Sequence, residues 1–293
     1  MAEFRRRARL SGAALAALCA ATAAYAGAGA TSASASRGST ANATMGASTP
    51  RASAANASRL PQGGEVVNLR PADFTTTIDN PYWPMKPGTR WTYRETDGRG
   101  GEQTVTVTVT RRTKRMANGV TARVVRDTAS GAGRLIEDTF DFYAQDKRGN
   151  VWYLGEDTAE LEAGRISSRA GSWQVGVNGA QAGIIIPARP RQGMRYREEY
   201  LEGQAEDRGQ VLATGLAAQA PYGHFRSNLL IADTTPLEPR VLELKFYART
   251  VGPLLTLNAS GGAGRAELRS KDIAPPEWVT RAAEAPLGRG PTR

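Results

Sequence analysis

The chain has 293 residues and a formal net charge of +10, long enough for one large or two small domains with a sizeable core. The charge is uneven: residues 1–64 carry seven Arg and one Glu, residues 274–293 three Arg and two Glu, and residues 65–273 hold 28 basic against 25 acidic side chains, a net of +3. A domain that near balance lacks the concentrated basic face of a nucleic-acid binder, and one cysteine, Cys19, leaves no disulfide framework, thiolate metal site or cysteine nucleophile for the body of the chain.

Arg5, Arg6, Arg7 and Arg9 form a basic start, Leu10–Tyr25 is apolar and Ala-rich, and Ala24-Tyr25-Ala26 is a small-x-small cleavage site. This is the pattern of a secretory signal peptide over 1–26 and predicts a secreted or envelope location. Lipidation at Cys19 and an uncleaved anchor are the alternatives. Leu18 before the cysteine argues against the first, and the shortage of Leu, Ile and Val against the second. Residues 27–64 are Ala, Ser, Thr and Gly with scattered Arg. Such a segment cannot bury enough apolar area to offset its conformational entropy, and is expected as a disordered linker.

Residues 65–273 read as one β domain. Asn80–Gly88 is Pro-locked and reads as a rigid lead-in loop. Thr89–Arg94 alternates as a strand, and Glu102–Arg111 is the cleanest period-two segment, with Val105, Val107 and Val109 on one face and threonines on the other. Val120–Thr128 follows the Asn118-Gly119 turn. Glu137–Asp157 reads as a central hairpin. Phe140, Phe142 and Ala144 share one face, and Asp141, Tyr143 and Gln145 the other; Asp146–Asn150 turns; Val151–Leu154 is apolar on both faces and so central. Short strand candidates continue to Ser270, separated by Gly and Pro turns. No window of 12 or more residues in 65–273 shows a 3.6-residue apolar period. The prediction is an all-β, mainly antiparallel domain: a single meander-like sheet curled as a half-barrel or barrel. Residues 274–293 read as a flexible tail.

The segments IDNPYWPMKPGTRWTY (78–93), EDTFDFYAQDKRGNVWYLGEDT (137–158), GSWQVGVNGAQAGIIIPARP (171–190), REEYLEGQAED (197–207) and TPLEPRVLELKFYARTVGPL (235–254) resemble a family of exported, functionally uncharacterised bacterial proteins. The resemblance covers nearly all of 74–257 and implies one domain, with no catalytic residue to carry over. The chain departs from it at Arg249-Thr250, where the family more often has Pro-Gly. APYGHF (220–225) resembles, more weakly, a strand start in envelope half-barrel families, some of which carry lipids.

The single histidine, His224, and the absence of a Gly-x-Ser-x-Gly elbow argue against a Ser-His-Asp triad and a zinc site. Gly98–Gly101 and Gly261–Gly264 join strand to strand, so no phosphate-binding loop and no nucleotide cofactor are expected. Of the acids, Glu137, Asp138, Asp141, Glu156, Asp157, Glu198, Glu199, Glu206 and Asp207 form the local clusters. They read first as partners of arginines on solvent-facing strands, then as a calcium site (Asp141, Glu156, Asp157), then as a glycosidase pair. Tyr82, Trp83, Trp91, Tyr143, Trp152, Tyr153 and Trp173 are either core or the lining of a ligand groove. Three roles stay open: a non-enzymatic exported protein binding an apolar or amphiphilic ligand such as a lipid, or another envelope component; an interaction module without a small ligand; a carboxylate-dependent glycan hydrolase.

Overall fold

The computed structural model describes residues 60–284; the expected signal peptide, most of the expected linker and residues 285–293 lie outside them. The strands are β1 (Phe74–Thr75), β2 (Thr89–Thr96), β3 (Glu102–Arg115), β4 (Thr121–Gly131), β5 (Arg134–Asp146), β6 (Val151–Glu162), β7 (Arg165–Ser168), β8 (Trp173–Gln174), β9 (Gln181–Ile186), β10 (Arg195–Arg197), β11 (Glu199–Tyr200), β12 (Arg208–Ala220), β13 (Gly223–Thr234), β14 (Leu242–Ala248), β15 (Gly252–Ser260) and β16 (Arg265–Ile273). Helix α1 (Pro276–Glu284) opens the segment read as a tail.

All pairings are antiparallel and the sheet is nearly closed as a barrel. Its hydrogen-bonded path runs β10-β12-β13-β14-β15-β16-β2-β3-β4-β5-β6-β9-β11. The two ends of that path are consecutive in sequence. Arg195, Tyr196 and Arg197 pair with Gln210, Gly209 and Arg208 on one side. Glu199 and Tyr200 pair with Ala182 and Gln181 on the other. One stretch of six residues is therefore the seam, and it removes most of the open sheet edge that would otherwise invite pairing with other chains.

The seam is held from outside. The Arg197 backbone N–H donates to the Pro61 carbonyl at 2.7 Å. The buried Arg197 guanidinium donates to the carbonyls of Ala182 (2.9 Å), Glu65 (2.7 Å) and Gly63. Leu60–Gly64, the end of the segment read as linker, thus lies against the barrel. The planar guanidinium suits this role because its fork can meet several carbonyls at once.

The hairpin is as its alternation predicts. β4 pairs with β5 and β5 with β6, so β5 is central. The turn is fixed by Asp146, whose carboxylate accepts from the N–H groups of Arg148 and Asn150 at 2.9 Å each. Residues 157–162 continue β6 beyond the hairpin. At the departure from the family pattern, Thr250 has φ 64°, a left-handed conformation in which a β-branched residue is strained.

Candidate ligand site in the barrel interior

Alternation decides which side chains meet inside. Following the register from β2, Trp91, Tyr93 and Glu95 lie opposite Val107, Val105 and Gln103. These lead to Asp127 on β4, to Asp141 and Glu137 on β5, and to Glu156 and Tyr153 on β6. In the other direction, Tyr247, Lys245 and Glu243 on β14 lie opposite Leu229, Ile231 and Asp233 on β13. Gly209 on β12 and Tyr196 on β10 complete the circuit. All of these face the lumen.

The lumen has an aromatic bridge. Trp83 contacts Tyr247 and Tyr143, with ring centroids 6.0 and 5.5 Å apart. Tyr143 stacks on Tyr153 at 5.0 Å, and Tyr153 meets Trp173 edge-on at 5.3 Å. Trp173 donates from Nε1 to Glu199 at 2.8 Å. The lead-in loop positions Trp83: Asn80 donates to the Gly149 carbonyl at 2.9 Å and accepts from the Tyr82 N–H at 2.9 Å. Trp91 is fully buried and donates to the Val251 carbonyl at 2.7 Å.

Beside the bridge lies a ring of acids, buried except for the half-buried Glu137. Glu95, Asp127, Glu137, Glu156, Glu199, Glu198 and Glu243 each feel the charge of a neighbouring acid, and Asp141 and Asp233 are among those neighbours. Its one basic member among the described residues is Lys245, 2.5 Å from Asp233 and 3.7 Å from Glu243. Burial pushes Glu95 and Glu137 up to about 8 and Asp141 up to about 7. Asp127, Glu156, Glu198 and Glu199 also rise well above the usual carboxylate range, through burial first and like-charged neighbours second. Desolvation disfavours each anion, and one ammonium cannot offset nine carboxyls.

Polar satisfaction is uneven around the ring. The Tyr153 hydroxyl donates to Asp141 at 2.8 Å. Both carboxyl oxygens of Glu198 and the hydroxyls of Tyr143, Tyr196 and Tyr247 are buried with no hydrogen-bond partner among the described residues. Glu198 is placed by two close backbone approaches. A Cβ on Gly209 would come within 2.6 Å of both Glu198 Oε1 and the Tyr196 ring, and one on Gly183 within 2.3 Å of the Glu198 backbone.

The sequence-derived aromatics divide accordingly. Trp83, Trp91, Tyr143, Tyr153 and Trp173 are brought together in the lumen. Trp152 pairs with Ala144 on the opposite face, packs on Phe74 at 6.0 Å and donates to Asp146 at 2.9 Å. Tyr82 lies under the Arg249 guanidinium, 5.2 Å from its ring. Of the candidate metal ligands, Asp141 and Glu156 are register partners inside, but Asp157 points outward to Arg169 at 3.2 Å. Among the described residues no three His, Cys, Asp or Glu side chains are placed to hold a metal ion. His224 is exposed on β13.

The expectation that these acids pair with arginines holds for Asp138 with Arg126 (2.7 Å) and for Asp157 with Arg169. It fails for the ring. Sequence reasoning passed over Glu95, Asp127, Asp233, Glu243 and Lys245. The available signal was parity: Glu95 sits two and four residues after Tyr93 and Trp91, and so shares their face.

No protein family matches the chain, and no curated protein does. A solved structure described as a "putative lipoprotein" from Parabacteroides distasonis ATCC 8503 is similar at 11% identity with a TM-score of 0.36, over 65% of this chain and 98% of that one. That likeness is too slight to transfer a role. No helix among the described residues is long and apolar enough to cross a membrane.

Proposed function

We propose that this chain is an exported, non-enzymatic binding protein whose ligand site is the barrel interior. One observation carries the reading: Glu198 and three tyrosine hydroxyls are buried in the lumen without hydrogen-bond partners among the described residues. Leaving a buried polar group unpaired costs about 1–3 kcal/mol, more for a charged one. Such groups in a cluster mark a place where a ligand or water completes the hydrogen bonding.

The lining also bears on the class of ligand. A wholly apolar occupant would pack on Trp83, Trp91 and the valines, but would leave the acid ring unpaired. An amphiphilic ligand satisfies both zones. The glycan-hydrolase reading needs one carboxyl protonated and its partner ionised. Asp141 and Glu156 face each other, yet burial raises both, and no cation beside them holds one as the base. The pair therefore favours binding over hydrolysis.

Native mass spectrometry of the chain purified from its own export route, with organic extraction of the same sample, tests the proposal. A stoichiometric small molecule released on denaturation is the expected result. A clean apo mass that persists after incubation with envelope extract would move the weight to an interaction module.

A further inference from the structure

We propose, resting on the reading of the interior as a ligand site, that its ligand carries an ammonium group held by Glu198 and the neighbouring tyrosine hydroxyls. The barrel already holds one ammonium in this way: Lys245 lies between Asp233 at 2.5 Å and Glu243 at 3.7 Å. Glu198 has no equivalent partner. It is 1% exposed, and neither of its oxygens receives a donor. The groups that face it are Asp233 on β13, Lys245 and Tyr247 on β14, Asp207, Glu199 on β11 and Tyr196 on β10. Lys245 is engaged by Asp233 and Glu243, which leaves Glu198 an acceptor with no donor among the described residues.

The chemistry narrows the occupant. An ammonium brings up to three donors and the missing positive charge. A divalent metal needs several oxygens converging on one point, and no such group of side chains is present among the described residues. A neutral sugar supplies hydroxyls but no counter-charge. Burial and neighbouring acids hold Glu198 and Glu199 protonated well above the usual carboxylate range. An arriving ammonium therefore displaces at least one proton to solvent.

The test is calorimetric titration of the full chain with 1,4-diaminobutane and with spermidine, at pH 7.5, in two buffers of different ionisation enthalpy. Saturable binding of at least one amine is expected, with a heat that differs between buffers by the release of at least about one proton. Glu198→Gln keeps the shape and removes the charge, and is expected to weaken binding about tenfold or more. Tyr247→Phe removes only a hydroxyl and serves if the Glu198 variant fails to fold; it should weaken binding severalfold. Glu202→Gln, in an exposed turn, should change nothing. Heats from the amines that both lumen variants leave intact would overturn the proposal. If neither amine binds, native mass spectra of the same preparation with palmitate and with a chitin tetrasaccharide separate the two failures. Binding of either probe overturns the amine and keeps the interior site; binding of neither removes both.

Discussion

The Lys245 ammonium lies 2.5 Å from an Asp233 carboxylate oxygen inside the barrel, and both side chains are buried. Burial disfavours the Lys245 ammonium, but Asp233 and Glu243 outweigh it and raise its pKa. Replacing Lys245 with Met leaves two carboxylates facing each other without a cation. Removing one partner of a buried pair costs about 3–5 kcal/mol. Urea denaturation at pH 8 should show a loss of that order, shrinking at pH 5, where protons can neutralise the acids left behind. An unchanged urea midpoint at pH 8 would mean that water already reaches the pair.

The acid ring sets a pH dependence of unusual sign. Paired carboxylates in most proteins titrate lower when folded. Here Glu95 and Glu137 rise from 4.5 to about 8 and Asp141 from 3.8 to about 7. The folded chain then binds more protons than the unfolded one across that window. Their contribution is present in full below about pH 4 and is lost as pH rises through 7 to 8, at about 1.4 kcal/mol per pH unit for each net proton. The ligand-free chain should therefore unfold at lower urea at pH 8 than at pH 5, and Glu95→Gln should flatten the slope. A midpoint that rises over the same range would contradict the burial of these groups.

Much of the barrel was legible in local pattern. The alternation of Thr89–Arg94 and Glu102–Arg111, and the two faces of Phe140–Gln145, place the same side chains that the structure does. Which face a side chain takes along a strand is a local property with period two, so the sequence carries it directly. The curl into a half-barrel or barrel was legible in the strand pattern, but not what closes it: Arg195–Tyr200 is split between the strand before it, β9, and the strand after it, β12, and no local alternation marks that split. The acid ring was hidden for a related reason. Glu95, Asp127, Glu198 and Glu243 are unremarkable within their own strands and become a cluster only once the sheet curls. Trp152 and Tyr153 show the opposite error, in which adjacency suggested one groove while alternation sends them to opposite faces.

Thr250 carries a cost that one substitution should relieve. Its φ is 64°, and its N–H donates to the Pro81 carbonyl at 2.7 Å, tying this turn to the loop that places Trp83. A β-branched residue there costs on the order of 1 kcal/mol or more, and glycine adopts the conformation freely. Thr250→Gly should raise stability by about 0.5–1 kcal/mol, net of the added freedom of the unfolded chain. A thermal melt at pH 6 is sufficient, and a lowered midpoint would show that the Thr250 side chain contributes packing that outweighs the backbone strain.

Gly209 links closure to the site. It pairs with Tyr196 across the seam and with Asp233 on the other side. The space above it is taken by the Tyr196 ring and Glu198 Oε1, each 2.6 Å from where a Cβ would lie. Gly209→Ala therefore forces the Tyr196 ring, 1% exposed, and the Glu198 carboxyl to shift, while Gly183 fixes the Glu198 backbone. Overpacking of this kind costs about 1–3 kcal/mol. The displacement should also change the ligand site while Lys245 and Asp233 stay paired. Binding of the released native ligand should fall by more than the loss of stability accounts for, since the variant folds but presents Glu198 wrongly. Hydrogen exchange locates the effect: faster exchange confined to Arg195–Tyr200 and to Arg208–Val211 is expected. Uniform acceleration around the whole barrel would mean instead that the seam is not a separate opening unit and that Gly209 matters only for global packing.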